Sequence, residues 1–166
     1  MEIRDAGERD YAGVLALNEA EVPHVSSLTL EELLELVPQF FYFRVAWVDE
    51  VCAGFMAALC PGQKYPSLNY RWFCEQYPSF VYIDRIVVSP QFKGMGIGRA
   101  LYADVERAAR SVAPILTCEV NLQPPNPASI QFHQKIGFAE VGQLDRDDGK
   151  RVSLMVKAVG SQIQPS

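Results

Sequence analysis

The most informative segment of the sequence is Ser89-Pro90-Gln91-Phe92-Lys93-Gly94-Met95-Gly96-Ile97-Gly98-Arg99-Ala100. It joins a strongly apolar segment, residues 80–88, to residues 100–110, whose apolar positions recur at helical spacing. Glycines at alternate positions let the backbone approach an anion closely, and the amides that begin the next helix point toward it. Lys93 and Arg99 add positive charge. The stretch therefore predicts a strand-to-helix turn that binds a diphosphate.

Two common diphosphate motifs do not fit this turn. A dinucleotide-binding turn needs the pattern GxGxxG, but Arg99 stands where the third glycine would be. A doubly wound sheet would also need more chain after the turn than this sequence has. A P-loop needs Lys-Ser or Lys-Thr after its last glycine, and Arg99-Ala100 follows instead. The sequence therefore indicates another class of diphosphate cofactor.

Length and composition limit the class of protein. The chain has 166 residues and a net charge of −5, with 49% hydrophobic and 21% charged residues, which predicts one globular domain. The acidic balance argues against a nucleic-acid partner. A charged N-terminus and no long apolar run predict a cytoplasmic protein without a membrane partner. The cysteines form no CxxC pair, and His24 and His133 are far apart, so no metal site is expected.

The spacing of apolar residues and turn signals predicts the order β-α-α-β-β-β-α-β-α-β-β. Thr29-Leu30-Glu31-Glu32 forms a capping box that begins the second helix. Residues 61–79 are aromatic and show no clear period, so we expect an irregular lid there. The predicted elements span residues 2–4, 8–21, 30–37, 40–47, 51–59, 80–88, 100–110, 115–120, 126–135, 138–144 and 151–159.

Two motifs resemble those of a known family. Residues 91–96, QFKGMG, fit the pattern Q/R-x-x-G-x-G/A of the GNAT superfamily of N-acetyltransferases. Residues 126–138, NPASIQFHQKIGF, look like the later helix of that family, which ends in Gly-Phe and enters a strand. The predicted order of elements matches the family over about residues 1–158. Two motifs in the right order with a matching topology make the resemblance strong.

The resemblance implies a fold and a domain organisation. We expect a mixed α/β domain with the GNAT acyl-CoA N-acyltransferase fold, built on a sheet of about six to seven strands with about four helices around it. The strands at 80–88 and 115–120 would splay apart. The domain would cover residues 1–159, and residues 160–166 would form a frayed tail. The resemblance leaves the oligomeric state open, and a homodimer is compatible with it.

The resemblance also implies the cofactor, acetyl-CoA or coenzyme A. Acetyl-CoA would lie in the splay, with its pantetheine arm along the strand at 80–88 and its pyrophosphate on the glycine turn. The later helix would line the other side of the cofactor. The cofactor-binding residues expected on this basis are Ile86, Val88, Gln91, Lys93, Gly94, Met95, Gly96, Ile97, Gly98, Arg99, Asn126 and Ser129.

The family reaction is direct attack of an amine on the thioester, which needs a base and a donor for the leaving sulfur. Asp84 is the first candidate for the base, because strand alternation predicts that Tyr82, Asp84, Ile86 and Val88 share one face. Glu119 is the second candidate, or it binds the ammonium group. His133 fills a place where many members carry tyrosine, and its imidazole could donate to the thiolate.

The acceptor side would be walled by the 61–79 lid and by residues 23–27. His24, Tyr70, Arg71 and Trp72 are the expected substrate-binding residues, with Arg71 holding a carboxylate. Because a long lid would obstruct a peptide, we expect a small-molecule primary amine, such as an amino acid. The alternatives are a protein N-terminus or lysine, and, in another class, a non-catalytic acyl-CoA sensor or interaction module.

Overall fold

Seven strands form one mixed sheet in the computed structural model, which describes residues 1–160. The order across the sheet is β1-β2-β3-β4-β5-β7-β6, and β4 and β5 are the one parallel pair among the described strands. This confirms the predicted mixed α/β class. The strands are β1 (Glu2–Asp5), β2 (Tyr42–Val48), β3 (Val51–Leu59), β4 (Val81–Val88), β5 (Ile115–Gln123), β6 (Ala139–Asp145) and β7 (Arg151–Ala158).

Five α-helices surround the sheet, one more than predicted. The predicted capping box is present, because the Thr29 hydroxyl accepts from the Glu32 amide and the Glu32 carboxylate accepts from the Thr29 amide. The helices are α1 (Tyr11–Glu21), α2 (Leu30–Leu36), α3 (Leu68–Gln76), α4 (Ile97–Ala109) and α5 (Pro127–Lys135).

The additional helix, α3, lies within the segment that was predicted to be irregular. Its first turn is capped by the Ser67 hydroxyl, which accepts from the Tyr70 amide at 3.3 Å. Asn69, Tyr70 and Phe73 are its buried residues, at helical spacing. Tyr70 and Phe73 pack their rings against Tyr82 of β4. The high content of aromatic residues, which favour strands in general, concealed this helical spacing from the sequence pattern.

The sheet has a hydrophobic layer on each face. On one face, Leu101 and Val105 of α4 pack in a cluster with Met56 and Leu116. On the other face, Val14 of α1 packs near one end of the sheet, and α3 covers the other end. The alternation of buried side chains along the strands therefore fixes which helices meet the sheet from each side.

β4 and β5 pair over a short distance and then separate. Their register contains the pairs Val81–Leu116 and Tyr82–Thr117, and no pair follows them within the described residues. β4 remains paired with β3 as far as Val88, and β5 remains paired with β7 as far as Gln123. The edges that β4 and β5 turn toward each other are thus left open. This confirms the predicted splay.

A β-bulge interrupts β4 at Asp84. Ile83 lies opposite Ala58 and Arg85 lies opposite Ala57, so Asp84 is the extra residue. A bulge reverses the alternation of side chains beyond it. Tyr82 accordingly packs beneath α3, whereas Ile86 packs in the cluster beneath α4. The prediction that Tyr82, Asp84, Ile86 and Val88 share one face was wrong for this reason.

The C-terminal end of the described chain is held in place. The Gly160 amide donates to the Glu106 carboxylate at 3.0 Å, and Lys157 forms an ion pair with the same carboxylate at 2.8 Å. The rest of the predicted tail, residues 161–166, lies outside the described residues. Among residues 1–160, no helix is both long and apolar enough to cross a bilayer.

Candidate active site

A cavity of about 900 Å³ occupies the space between β4 and β5. It runs from the glycine turn, along the open edges of both strands, to the segment between α1 and α2 and the turn between β6 and β7. The volume is in the range of ligand sites for small molecules and cofactors. The cavity therefore has a donor end at the glycine turn and an opposite end, which we call the acceptor end.

The glycine turn has the backbone geometry that its sequence predicts. Gly94 and Gly96 have φ of 80° and 79°, values that favour glycine, and no atom lies within 4 Å of a Cβ built at either residue. Gly96 is the N-cap of α4. The first four amides of a helix have no partner within it, so those of α4 are available to an anion. The Lys93 and Met95 amides instead donate within the turn, to Pro90 and Phe92.

The third glycine of the turn serves helix packing. A Cβ on Gly98 would lie 3.2 Å from the ring of Phe132 on α5, tighter than an ordinary contact. The absence of a side chain at Gly98 therefore lets α5 approach the first turn of α4. This contact closes one wall of the cavity beside the anion-binding amides.

Ten of the twelve predicted cofactor residues line the cavity, and Gln91 and Met95 do not. Met95 is instead exposed, with its backbone forming the turn. Asn126 is the N-cap residue of α5, but its side chain makes no capping hydrogen bond, so its amide faces the cavity without that role. The ten residues are Ile86, Val88, Lys93, Gly94, Gly96, Ile97, Gly98, Arg99, Asn126 and Ser129.

The donor end fits acetyl-CoA by these observations. The turn offers open space at two glycines, unpaired helix amides and the cations Lys93 and Arg99, which suit a pyrophosphate. The open edge of β4 offers main-chain groups for a pantetheine arm. The role of each of these residues in binding stays a prediction.

His133 is buried and uses both ring nitrogens. Nδ1 lies 2.7 Å from the Ser129 carbonyl oxygen, which can only accept, so Nδ1 carries the proton. Nε2 then accepts from the Tyr102 hydroxyl at 2.7 Å. Burial lowers the pKa of His133, which favours this neutral form. Burial also raises the pKa of Tyr102 well above its usual value.

Asp84 is part of a buried ion pair. Its carboxylate accepts from Arg85 Nε at 2.8 Å and from the Tyr65 hydroxyl at 2.6 Å. The side chains of Asp84 and Arg85 are 3% and 6% exposed. Adjacent residues reach the same side of the sheet because of the bulge. Arg85 also donates to the Asn18 side chain and to the Ser26 carbonyl, which ties the α1–α2 segment to β4.

Glu119 faces the cavity from β5 and contacts Tyr82 on β4. The Tyr82 hydroxyl donates to the Glu119 carboxyl, with its two oxygens at 2.8 and 2.7 Å. Burial raises the pKa of Glu119 from 4.5 to about 7, and the negative charge of Asp84 adds to the increase, while the Tyr82 hydrogen bond opposes it. The site therefore holds a carboxyl that exchanges its proton near neutral pH.

Of the predicted acceptor residues, His24 alone lines the cavity, and Tyr70, Arg71 and Trp72 do not. The Tyr70 hydroxyl donates to the Cys60 carbonyl, so it has a structural role. Arg71 is exposed, and Trp72 packs against Gly142 of β6. The expectation that these three wall the cavity was wrong, because the segment is helical and turns them away from it.

The cavity lining also contains residues that sequence reasoning missed, among them Asn69, Tyr102 and Arg146. Asn69 lines the cavity because α3 is helical, and the aromatic composition concealed that helix from sequence reasoning. No local sequence pattern relates Tyr102 to His133, because the two residues meet only when α4 and α5 pack together. Arg146 lies in a hairpin turn, where an arginine is ordinarily solvated.

The raised pKa of Glu119 makes the stability of the protein depend on pH. Below about pH 4.5 both the folded and unfolded forms hold the proton. Between there and pH 7 the unfolded chain loses it first, so the free energy of unfolding falls as pH rises. The free energy of unfolding of the wild type should fall by on the order of 2–3 kcal/mol between pH 4.5 and 8, as measured by chemical denaturation. This fall should be absent in Glu119→Gln. Glu75→Gln on the exposed side of α3 is the control, and an equal pH dependence in Glu119→Gln and wild type would contradict the prediction.

Comparison with known proteins places this geometry in a family. Residues 11–138 match the model of the acetyltransferase (GNAT) family. The peptidyl-lysine N-acetyltransferase YjaB of Escherichia coli strain K12 is 39% identical over 75 residues, which are 45% of this chain and 47% of that protein. The chain thus spans about half the length of the curated relatives it matches.

Two solved structures share the fold. Ard1 from Thermoplasma volcanium is 20% identical with a TM-score of 0.78, covering 96% of this chain and 98% of that one. A ribosomal-protein-alanine N-acetyltransferase from Brucella melitensis is 24% identical with a TM-score of 0.71, covering 95% and 99%. The match over residues 11–138 shows that this chain belongs to the GNAT family of acetyl-CoA-dependent acetyltransferases, as its two motifs predicted.

Proposed function

We propose that this protein transfers an acetyl group from acetyl-CoA to a primary amine by direct attack in a ternary complex. One observation carries the proposal: a single cavity joins the glycine turn to the half-buried carboxyl of Glu119, whose pKa is raised to about 7. Acetyl-CoA, when bound, supplies the acetyl thioester. The chain supplies the binding surface, the base and a donor for the leaving sulfur.

Glu119 is the better base of the two carboxylates. A general base works best when its pKa is near the working pH, and the pKa of Glu119 is about 7. Asp84 is committed to Arg85 and Tyr65, and protonating it would break a buried ion pair. The role left for Asp84 is to raise the proton affinity of Glu119 through its negative charge. This order reverses the expectation from the sequence.

Tyr102 and His133 form the donor for the leaving sulfur. His133 donates its Nδ1 proton to the Ser129 carbonyl. Of the Tyr102–His133 pair, the Tyr102 hydroxyl therefore carries the one proton that can turn toward the cavity. A hydroxyl hydrogen bond stabilises negative charge that develops on the sulfur. His133 then acts by positioning Tyr102, rather than as the acid that the sequence suggested.

The protons balance in this scheme. An ammonium group brings three protons to the site. One stays in the product amide, one passes to Glu119 and from there to solvent, and the third ends on the sulfur of coenzyme A. The C–S bond breaks as the C–N bond forms, and no oxidant or reductant takes part.

A small-molecule amine is our first choice of acceptor. At the acceptor end, Lys150 of the β6–β7 turn donates to the Pro23 carbonyl, and the Asn121 side chain donates to the same oxygen, both at 3.3 Å. These bonds tie the turn and β5 to the α1–α2 segment and narrow the approach for a polypeptide. A protein amine is the second candidate, because relatives are named for acting on peptidyl lysine and on ribosomal-protein alanine.

A panel of acceptors tests this choice. Release of coenzyme A thiol should be fastest with small primary amines and slower with peptides that offer a free N-terminus or a lysine side chain. Faster turnover of either peptide would assign the enzyme to protein acetylation. Binding of acetyl-CoA without turnover of any amine, in protein that is shown to be folded, would favour the non-catalytic sensor.

Binding at the glycine turn can be measured without turnover. Coenzyme A should raise the melting temperature of the wild type, and Gly96→Glu should abolish the increase, because a side chain and a negative charge would fill the anion site. Gly62→Glu is the matched control, since Gly62 also has a positive φ and open space around it but lies outside the cavity lining. An unchanged increase in Gly96→Glu would place the pyrophosphate elsewhere.

The pH dependence of the rate identifies the base. Glu119→Gln should lower kcat/KM by about 10²–10⁴-fold at pH 7, and the loss should shrink toward pH 9 as more of the amine becomes neutral. Asp84→Asn should instead lower the melting temperature, because it leaves Arg85 buried without its charge partner. Near-native activity of Glu119→Gln at pH 7 would remove Glu119 from this role.

Removal of Tyr102, the proposed donor to the sulfur, should give a pH dependence opposite to that of Glu119→Gln. Tyr102→Phe should lower kcat by about 10- to 100-fold, the effect of one hydrogen bond to a charged group. Its loss should persist at high pH and shrink with an acyl donor whose thiol is more acidic. A loss in Tyr102→Phe that disappears at pH 9 would contradict the assignment.

A further inference from the structure

At the acceptor end, Asn69 and Arg146 each have buried polar side-chain atoms that make no hydrogen bond among residues 1–160, although the Arg146 side chain as a whole is 26% exposed. Asn69 of α3 is 0% exposed, and neither polar atom of its amide makes a hydrogen bond of good geometry among residues 1–160, although the amide approaches the Glu119 carboxyl closely enough to favour its charged form. Arg146 in the β6–β7 turn has a buried Nε that is likewise without a hydrogen bond, and its closest carboxylate, that of Asp148, lies 3.9 Å away. Both residues line the cavity.

Unpaired buried polar atoms cost free energy, so their presence calls for an explanation. The Asn69 amide nitrogen and the Arg146 guanidinium can donate to a ligand that brings oxygen acceptors, whereas the Asn69 amide oxygen needs a donor such as an ammonium group. A carboxylate is the group that matches a guanidinium best, because it is planar, anionic and able to accept two hydrogen bonds.

Asn69 and Arg146 lie close to Glu119, the residue that we propose as the base for the reacting amine. Asn69 and Arg146 are both near enough to the Glu119 carboxyl to affect its proton affinity, Asn69 through its amide and Arg146 through its charge. An amine that meets Glu119 therefore has Asn69 and Arg146 close to its neighbouring atoms. The acceptor end places a proton acceptor for an amine beside donors for an oxygen-bearing group.

The charges at the acceptor end agree with a ligand of both signs. Asp84 and Arg85 neutralise each other, Asp148 lies 3.9 Å from the Nε of Arg146, and Lys150 and Glu21 line the cavity with opposite charges. An amine without a carboxylate would meet Glu119 and leave the Nε of Arg146 without an acceptor. A ligand with an ammonium group and a carboxylate brings one charge for Glu119 and the opposite charge for Arg146.

We propose that Asn69 and Arg146 bind the carboxylate of the acceptor, and that the acceptor is an α-amino acid or a close derivative with a free carboxylate beside its amine. This inference rests on the proposed function and narrows its substrate class. It replaces Arg71, which is exposed, with Arg146 as the carboxylate-binding residue. A lysine side chain has no such oxygen near its amine, and a peptide N-terminus offers a neutral carbonyl in its place.

The kinetic test uses matched acceptors: each of the standard amino acids, its carboxamide, and the amine that lacks the carboxylate. Arg146→Gln should raise KM for the best amino acid by about 10- to 100-fold and change KM for the carboxamide much less. Arg151→Gln is the control, because Arg151 lies in the same hairpin and pairs with Asp145 outside the cavity lining. Equal effects of Arg146→Gln on the amino acid and its carboxamide would overturn the proposal.

Asn69 gives a test that a structural role would not pass. Asn69→Leu replaces two unpaired buried polar atoms with an apolar group of similar size, so the melting temperature of the free protein should stay the same or rise. KM should nevertheless rise for the amino acid and for its carboxamide, since both offer an oxygen to the amide. A marked fall in melting temperature, with KM unchanged, would show that Asn69 supports the fold instead.

A binding measurement separates this inference from the proposed function. In the presence of coenzyme A, the best amino acid should raise the melting temperature of the wild type and not that of Arg146→Gln. If the amino acid stabilises the wild type but no acetyl transfer occurs, the binding site stands and the proposed function fails. If amines without a carboxylate are acetylated as well as amino acids, by wild type and Arg146→Gln alike, the function stands and this inference fails.

Discussion

The separation of two parallel strands is the constraint on which the site depends. β4 and β5 pair at Val81–Leu116 and Tyr82–Thr117 and then diverge, while each keeps its other neighbour. Open strand edges inside a protein leave main-chain groups that need partners. The gap between them is wide enough for a cavity of about 900 Å³. A cofactor arm that runs along β4 as an added strand would satisfy these groups, so the fold itself favours an extended ligand there.

The bulge in β4 adds a second level of organisation. Because Asp84 is an extra residue, the alternation of side chains shifts by one position there, so even-numbered residues before and after it face opposite sides of the sheet. Tyr82 thus reaches Glu119 on the acceptor side, whereas Ile86 supports the side that α4 covers. The same bulge brings Asp84 and Arg85 to one side, where they form an ion pair. One inserted residue thereby separates the tyrosine that contacts Glu119 from the ion pair of Asp84 and Arg85.

The sequence predicted those parts of the protein that depend on local patterns. The backbone of the glycine turn, the Thr29 capping box, the succession of strands along the chain and the splay were confirmed. The bulge was not predicted, because β-bulges leave little trace in the alternation of a buried strand with apolar residues on both faces. The Tyr102–His133 contact joins residues 31 apart in the chain, and it depends on how two helices pack. Such contacts follow from tertiary structure, which local patterns do not contain.

The two ends of the cavity are built from different parts of the chain. The donor end comes from β4, the glycine turn, α4 and α5, whereas the acceptor end takes its walls from the α1–α2 segment, α3 and the β6–β7 turn. The β6–β7 turn reaches the α1–α2 segment through the hydrogen bond from Lys150 to Pro23. The hairpin tip and α3 could therefore be exchanged for those of another family member while the glycine turn, α4 and α5 are left unchanged.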